Sequence, residues 1–165
     1  MATQQEDQVE LPHREAFEDF YRREHPGQLR RAVLLLGSEA DANDAVAHAF
    51  SKILERWAEL ENPGAYLNRS VLNACRDIGR SRRRLSVVGE HGARVAEDEH
   101  RPSMAILEAL LALPYKQRAV VVLRHYVGLS EREIADQLGI ASGSVGPTLF
   151  RAHSKLKSTL KEFAP

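Results

Sequence analysis

The chain has 165 residues, 43% of them hydrophobic and 28% charged, and its 23 Lys and Arg balance 23 Asp and Glu to a formal net charge of zero. That length suits one ordinary domain or two small ones, and we read two. The single cysteine, Cys75, excludes an internal disulfide framework and fits a reducing interior, where it is expected to be buried and inert. No apolar run approaches the roughly 20 residues of a membrane span, and MATQQEDQVE lacks the basic and apolar regions of a signal peptide, so a cytoplasmic protein without membrane insertion is expected.

Residues 1–12 are polar and acidic and are expected to form a disordered tail. From His13 the pattern turns helical, with Ala16, Phe17, Phe20 and Tyr21 on one face, and Pro26 is expected to end the helix. A second helix over Gly27 to Leu36 carries Leu29, Val33 and Leu36 inward and closes at Gly37. After Ser38 comes the most amphipathic stretch, in which Ala45/Val46, Ala49/Phe50 and Ile53/Leu54, then Trp57, recur at helical spacing. Its other face shows Asp41, Asn43, Asp44, His48, Lys52, Glu55 and Arg56. A loop over 58–62 follows. Asn62-Pro63 then reads as a helix start, a capping side chain before a proline in the first turn.

The fourth helix, Pro63 to about Arg84, turns Leu67, Val71, Ala74 and Ile78 inward. Opposite them Arg69, Asn73, Arg76, Arg80 and Arg83 make a cationic rail about 20 Å long at roughly 1.5 Å per residue, ending in Arg82-Arg83-Arg84. Charge is segregated along the chain: the balance is −5 over residues 1–60, +4 over 61–85, −2 over 86–103 and +3 over 104–165. Two basic zones can therefore meet phosphate, and a guanidinium row with an asparagine in it suits a nucleic acid.

Residues 86–103 hold glycines, a proline and the acidic run Glu97-Asp98-Glu99 with no sustained period, and read as a flexible linker. Beyond it Met104, Leu107, Leu110 and Leu111 mark a helix ending at Leu113-Pro114, and Gln117 to Tyr126 marks another, with Val120, Leu123 and Val127 on one side. Ser130 and Glu133 then stand at capping-box spacing before Ile134, Ala135 and Leu138, and Gly139 supplies a left-handed stop. After that turn Val145, Leu149, Ala152, Leu156 and Leu160 form one stripe, while Pro147, Phe150, Arg151 and Ser154 face the other way. Two helices about a glycine turn, with a basic tail of Arg151, Lys155, Lys157 and Lys161, read as a helix-turn-helix whose second helix enters the major groove. No strand alternates convincingly, so the fold class is all-α: two small helical domains joined by the linker. The seven histidines are scattered without metal-ligand spacing, and there is no phosphate-binding glycine loop, so neither an enzyme nor a cofactor is expected.

The order of these parts, closing on LPYKQRAVVVLRHYVGLSEREIADQLGIASGSV, resembles bacterial RNA polymerase sigma factors of the extracytoplasmic-function (ECF) type, which keep domains two and four. Leu113, Pro114, Gln117, Arg118, Leu123, Arg124, Tyr126, Leu129, Ser130, Glu133, Ile134, Ala135, Leu138, Gly139, Gly143 and Val145 carry the domain-four likeness. Asp41, Ala42, Asp44, Val46, Phe50, Pro63, Leu67, Asn73 and Asp77 carry that of domain two. The resemblance implies a four-helix domain two over residues 13–85 and a helix-turn-helix domain four over 104–163. It implies docking on core RNA polymerase through Asp41, Asp44, Phe50, Lys52 and Arg56. It also implies contact with the melted minus-10 promoter element through Arg69, Asn73, Arg76, Arg80, Arg82, Arg83 and Arg84. For the minus-35 element it points to Ser142, Ser144, Thr148, Phe150, Arg151 and Lys155. An anti-sigma factor clamping the two domains is a further partner the resemblance implies.

Two departures shape these expectations. Gly146-Pro147-Thr148 stands where the family has basic or hydroxyl residues, so the recognition helix should start late, near Ser144, or kink, leaving base readout to Thr148, Phe150 and Arg151. Ala47 and His48 replace a usual glutamine and carboxylate on the docking helix. The alternatives are a sigma-like regulator that binds polymerase or another protein without complete promoter recognition, and a dimeric helix-turn-helix repressor, for which nothing after Leu160 supplies a dimerisation element.

Overall fold

A computed structural model describes the backbone of residues 3–85 and 103–162 and the side chains of 16–82 and 103–162. Among them the secondary structure is entirely helical: α1 (Thr3–Leu36), α2 (Glu39–Glu55), a 3-10 turn (Trp57–Glu59), α3 (Pro63–Leu85), α4 (Met104–Leu111), α5 (Tyr115–Val121), a π-helical segment (Val122–Val127), α6 (Glu131–Leu138), a 3-10 turn (Ser142–Ser144) and α7 (Val145–Glu162). The expected linker, 86–103, lies outside the described residues except for Ser103, whose hydroxyl caps α4.

The first two expected helices are one. α1 begins at Thr3, ahead of the start expected at His13, and runs through Pro26, so the N-terminal half has three helices where four were expected. A proline inside a helix costs about 3 kcal/mol. The cost is offset because Phe17 and Phe20 before it and Ala32 and Leu35 after it lie against the same core, each large apolar side chain contributing about 1.5–3 kcal/mol on burial. Pro26 itself points to solvent.

Ser38 caps α2 by accepting from the Asp41 amide, and Asn62 caps α3 by accepting from the Ala65 amide at 3.0 Å. Ala42, Ala45, Val46, Ala49, Phe50 and Ile53 of α2 are buried against Leu67, Val71, Leu72 and Cys75 of α3. Phe17, Phe20, Phe50 and Trp57 form an aromatic cluster at one end of this core, with the Trp57 ring 5.3 Å from Phe17 and 5.2 Å from Phe20. Several positions of the expected apolar faces are exposed instead: Ala16, Tyr21, Leu160 and, by more than half, Leu54 and Met104.

The C-terminal half packs on the N-terminal half through α1 and α3, and a single apolar core runs from Phe20 to Ala152. Gly37 lies at this contact. Its φ of +68° is left-handed, and the Leu111 side chain of α4 occupies the space a Cβ would need. Arg118 of α5 is 7% exposed and donates to the carbonyls of Leu110, Leu111 and Leu113, and also to that of Leu35 at the end of α1. One guanidinium thus satisfies the orphan carbonyls at two helix ends, one in each half. The Tyr115 hydroxyl donates to the Leu72 carbonyl at 2.8 Å, and Arg30 Nε donates to the Tyr126 hydroxyl at 2.9 Å. α5 runs on into the π-helical segment, and the buried run Arg118 to Val121 continues through Val122 and Leu123.

Candidate nucleic-acid interface

The helix-turn-helix forms as its local chemistry dictates. Ser130 Oγ accepts from the Glu133 amide at 3.2 Å, and Glu133 Oε2 accepts from the Ser130 amide at 2.8 Å. Those bonds to Ser130 hold the Glu133 carboxyl below its ordinary pKa. Gly139 ends α6 at φ +66°. The chain then makes its 3-10 turn over Ser142–Ser144 and enters α7 at Val145, the late start expected from Pro147, whose missing N–H falls in the first turn where no partner is needed.

Along α7, Val145, Leu149 and Ala152 are buried, while Phe150 is 74% exposed beside exposed Arg151 and Lys155. Ser142 is exposed and Ser144 half-buried, its hydroxyl donating to the Ala141 carbonyl at 2.7 Å. Thr148 is a correction. It is 5% exposed and its hydroxyl donates to the Ser144 carbonyl at 2.7 Å, so it supports the first turn and does not present to a base.

On α3 the expected rail stands out from the core. Arg69, Asn73, Arg76, Arg80 and Arg82 are exposed, while Leu67, Val71, Ala74 and Cys75 are buried on the other side. The Cys75 thiol is pushed up to about 12 by burial, which makes it inert as expected. The Arg83 and Arg84 side chains lie outside the described residues. Arg82 is tied to Asp41 by an ion pair.

The docking face of α2 needs two corrections. Phe50 is 4% exposed and touches Phe17, Phe20 and Tyr21, so it is a core residue; its place four residues after Val46 already puts it on the apolar stripe. Asp41 is 6% exposed and spends its carboxylate on Arg82, which leaves it inside the fold. Asp44, Lys52 and Arg56 are exposed. Arg56 lies 5.3 Å over the Tyr66 ring and reaches Glu59 at 3.5 Å. Hydrogen bonding to Tyr66 and the Glu59 carboxylate hold its pKa above the ordinary value. Tyr66 is a residue the sequence reading passed over. An aromatic in the first turn of an arginine-lined helix, beside a loop, is the pattern on which unstacked bases rest.

No group of three or more metal-ligating side chains exists among the described residues, and no described helix is long and apolar enough to cross a membrane.

A capped helix-turn-helix packed on a helical unit with an arginine face defines a helix-turn-helix transcription protein. The family described as sigma-70, region 4 matches residues 103–156. RNA polymerase sigma-E factor of Streptomyces coelicolor is 32% identical over 151 residues, spanning 87% of this chain and 85% of that one. ECF RNA polymerase sigma factor SigM of Mycobacterium tuberculosis is 31% identical over 159 residues, 89% of this chain and 78% of its own. Among solved structures, the sigma factor RpoE of Bartonella quintana, crystallised with the anti-sigma factor NepR, shares the fold at a TM-score of 0.73, with 22% identity over 88% of this chain and 97% of that one. The chain belongs to the ECF RNA polymerase sigma factors.

Proposed function

We propose that the chain binds core RNA polymerase and directs it to a subset of promoters, with residues 13–85 acting as domain two and 104–163 as domain four. Exposed Asp44 and Lys52 of α2, with Arg56 just past its end, meet the polymerase. Arg69, Asn73, Arg76 and Arg80 of α3 take the phosphates and an unstacked base of the minus-10 element, with Arg56 and Tyr66 at the neighbouring loop. Arg151 and Lys155 of α7 take phosphates at the minus-35 element, Ser142 anchors its backbone, and Phe150 packs on a thymine methyl. The protein performs no chemistry of its own and works in the cytoplasm with the polymerase. An anti-sigma factor holding the two halves together is its natural antagonist.

The observation that carries this reading is the division of α3: one side wholly in the core, the other a row of unburied arginines with Asn73 among them. Run-off transcription with core polymerase on a promoter library tests it. Wild type should initiate, and the double change Arg76→Ala, Arg80→Ala should lose initiation while keeping polymerase binding. One observation favours a second reading, a sigma-like regulator without complete promoter recognition. The first turn of α7 offers Gly146 and Pro147, which have no hydrogen-bonding side chains, and the Thr148 hydroxyl is already used. Polymerase binding without initiation on any promoter would select it.

A further inference from the structure

The cations on the two halves converge on one place. Between α3 and α5 lies a cleft of about 390 Å3, within the roughly 300–1,000 Å3 range of small-ligand sites. Arg76, Arg80 and Arg82 line it from the N-terminal half and Lys116 and Arg118 from the C-terminal half, against the single carboxylate of Asp41. Two of these cations are committed: Arg82 to Asp41, and Arg118 to backbone carbonyls. Arg76 has one loose, exposed contact with Asp77 at 3.7 Å. Arg80 and Lys116 make no hydrogen bond or ion pair among the described residues. Arg80 and Lys116, with Arg76 held only loosely by Asp77, therefore line a shared space in which the lining residues supply one carboxylate, that of Asp41, already paired with Arg82. Leu36 and Leu111 line the same cleft and lower its polarity, which strengthens an ionic contact made there.

We propose that this cleft binds a small, multiply charged oxyanion, two or more linked phosphates either as inorganic oligophosphate or as the phosphate chain of a nucleotide. The ligand bridges α3 and α5, neutralises the repulsion between Arg76, Arg80 and Lys116, and so tightens the packing of the two halves. Its size follows from the cleft, which is walled by both halves. The site stands on geometry that includes Lys116, outside the proposed promoter contacts, and needs no promoter recognition to be true.

The test is calorimetric titration of the full chain with tripolyphosphate, ATP and orthophosphate, together with thermal midpoints in their presence. Tripolyphosphate should bind and raise the midpoint by linkage, and orthophosphate should bind far more weakly. Lys116→Ala and Arg80→Ala should each weaken tripolyphosphate by roughly tenfold or more, since each removes a charge-assisted contact. Lys157→Ala, which removes a charge from α7 outside the cleft, should not. ATP binding with tripolyphosphate's affinity assigns recognition to the phosphate chain, and tighter ATP binding adds a contact to the base; either supports the site. Equal affinity for orthophosphate, or an equal loss in Lys157→Ala, would overturn it by showing diffuse attraction only. Lys116 is exposed, so circular dichroism should show its alanine variant folded. Transcription is not the readout, so this proposal and the promoter reading fail separately.

Discussion

Arg118→Met keeps an unbranched apolar stem at a buried site and removes the guanidinium. Nε donates to the Leu110 carbonyl at 2.9 Å, Nη2 to those of Leu111 at 3.0 Å and Leu113 at 2.8 Å, and Nη1 to that of Leu35. A hydrogen bond from a charged group contributes about 1.5–3 kcal/mol, but bonds sharing one side chain do not add, and single substitutions rarely exceed about 4–5 kcal/mol. We expect a loss of about 4 kcal/mol, which for a chain of this size lowers Tm by about 8–16 °C. Urea unfolding followed by far-ultraviolet circular dichroism measures it. Arg118→Lys should fall between, because an ammonium lacks the planar fork that spans the ends of α1 and α4. A loss below about 1 kcal/mol for the methionine variant would refute the reasoning, since the freed carbonyls would then be satisfied by water at little cost.

Two phenylalanines make a paired expectation: Phe50→Ala should cost about 3–5 kcal/mol in urea unfolding as a core cavity. Phe150→Ala should stay within about 0.5 kcal/mol yet weaken binding to a minus-35 duplex measured by fluorescence anisotropy. Gly37→Ala should destabilise by about 1–3 kcal/mol, because alanine is strained at φ +68° and its methyl meets Leu111. Burial, the neighbouring His153 and Arg124 together hold the His125 pKa below its ordinary value. A base whose folded pKa is depressed contributes stability that is complete above its unfolded value of about 6.5 and is lost as pH falls below that value toward the folded one. The Nε2 atoms of His125 and His153 lie 2.8 Å apart, so His153→Ala should raise the His125 pKa in an NMR titration.

What the sequence made legible was local. Ser130 with Glu133, and Gly139 after Leu138, specify a cap and a stop within one short segment, and both form as the residue types require. The rail on α3 was likewise legible, because its period is written in consecutive turns. Pro26 misled for the same reason: the local rule ends a helix there, and burial of Phe20 and Leu35 against distant α2 and α3 overrides it. Thr148 sits at the margin of the apolar stripe, and only the position of the Ser144 carbonyl decides where its hydroxyl goes. Asp41 finds its partner 41 residues away, and Arg118 reaches a carbonyl 83 residues away. No period encodes such pairings. They arise when two amphipathic surfaces meet, and they are why the contact between the halves, and the cleft beside it, were absent from the sequence reading.

The chain's single tryptophan lies in the aromatic cluster of the N-terminal half, against Phe17 and Phe20. Its fluorescence therefore reports on one half of the molecule, whereas ellipticity reports on all the helices. Overlaid as denaturant rises, the two signals become a gauge of cooperativity: coincident curves mean that the carbonyl bridges of Arg118 and Tyr115 make the halves melt as a unit. An ellipticity change that precedes the emission change means that the helix-turn-helix can come away while the aromatic cluster holds, the mechanical separation that would let one molecule reach two promoter elements at once.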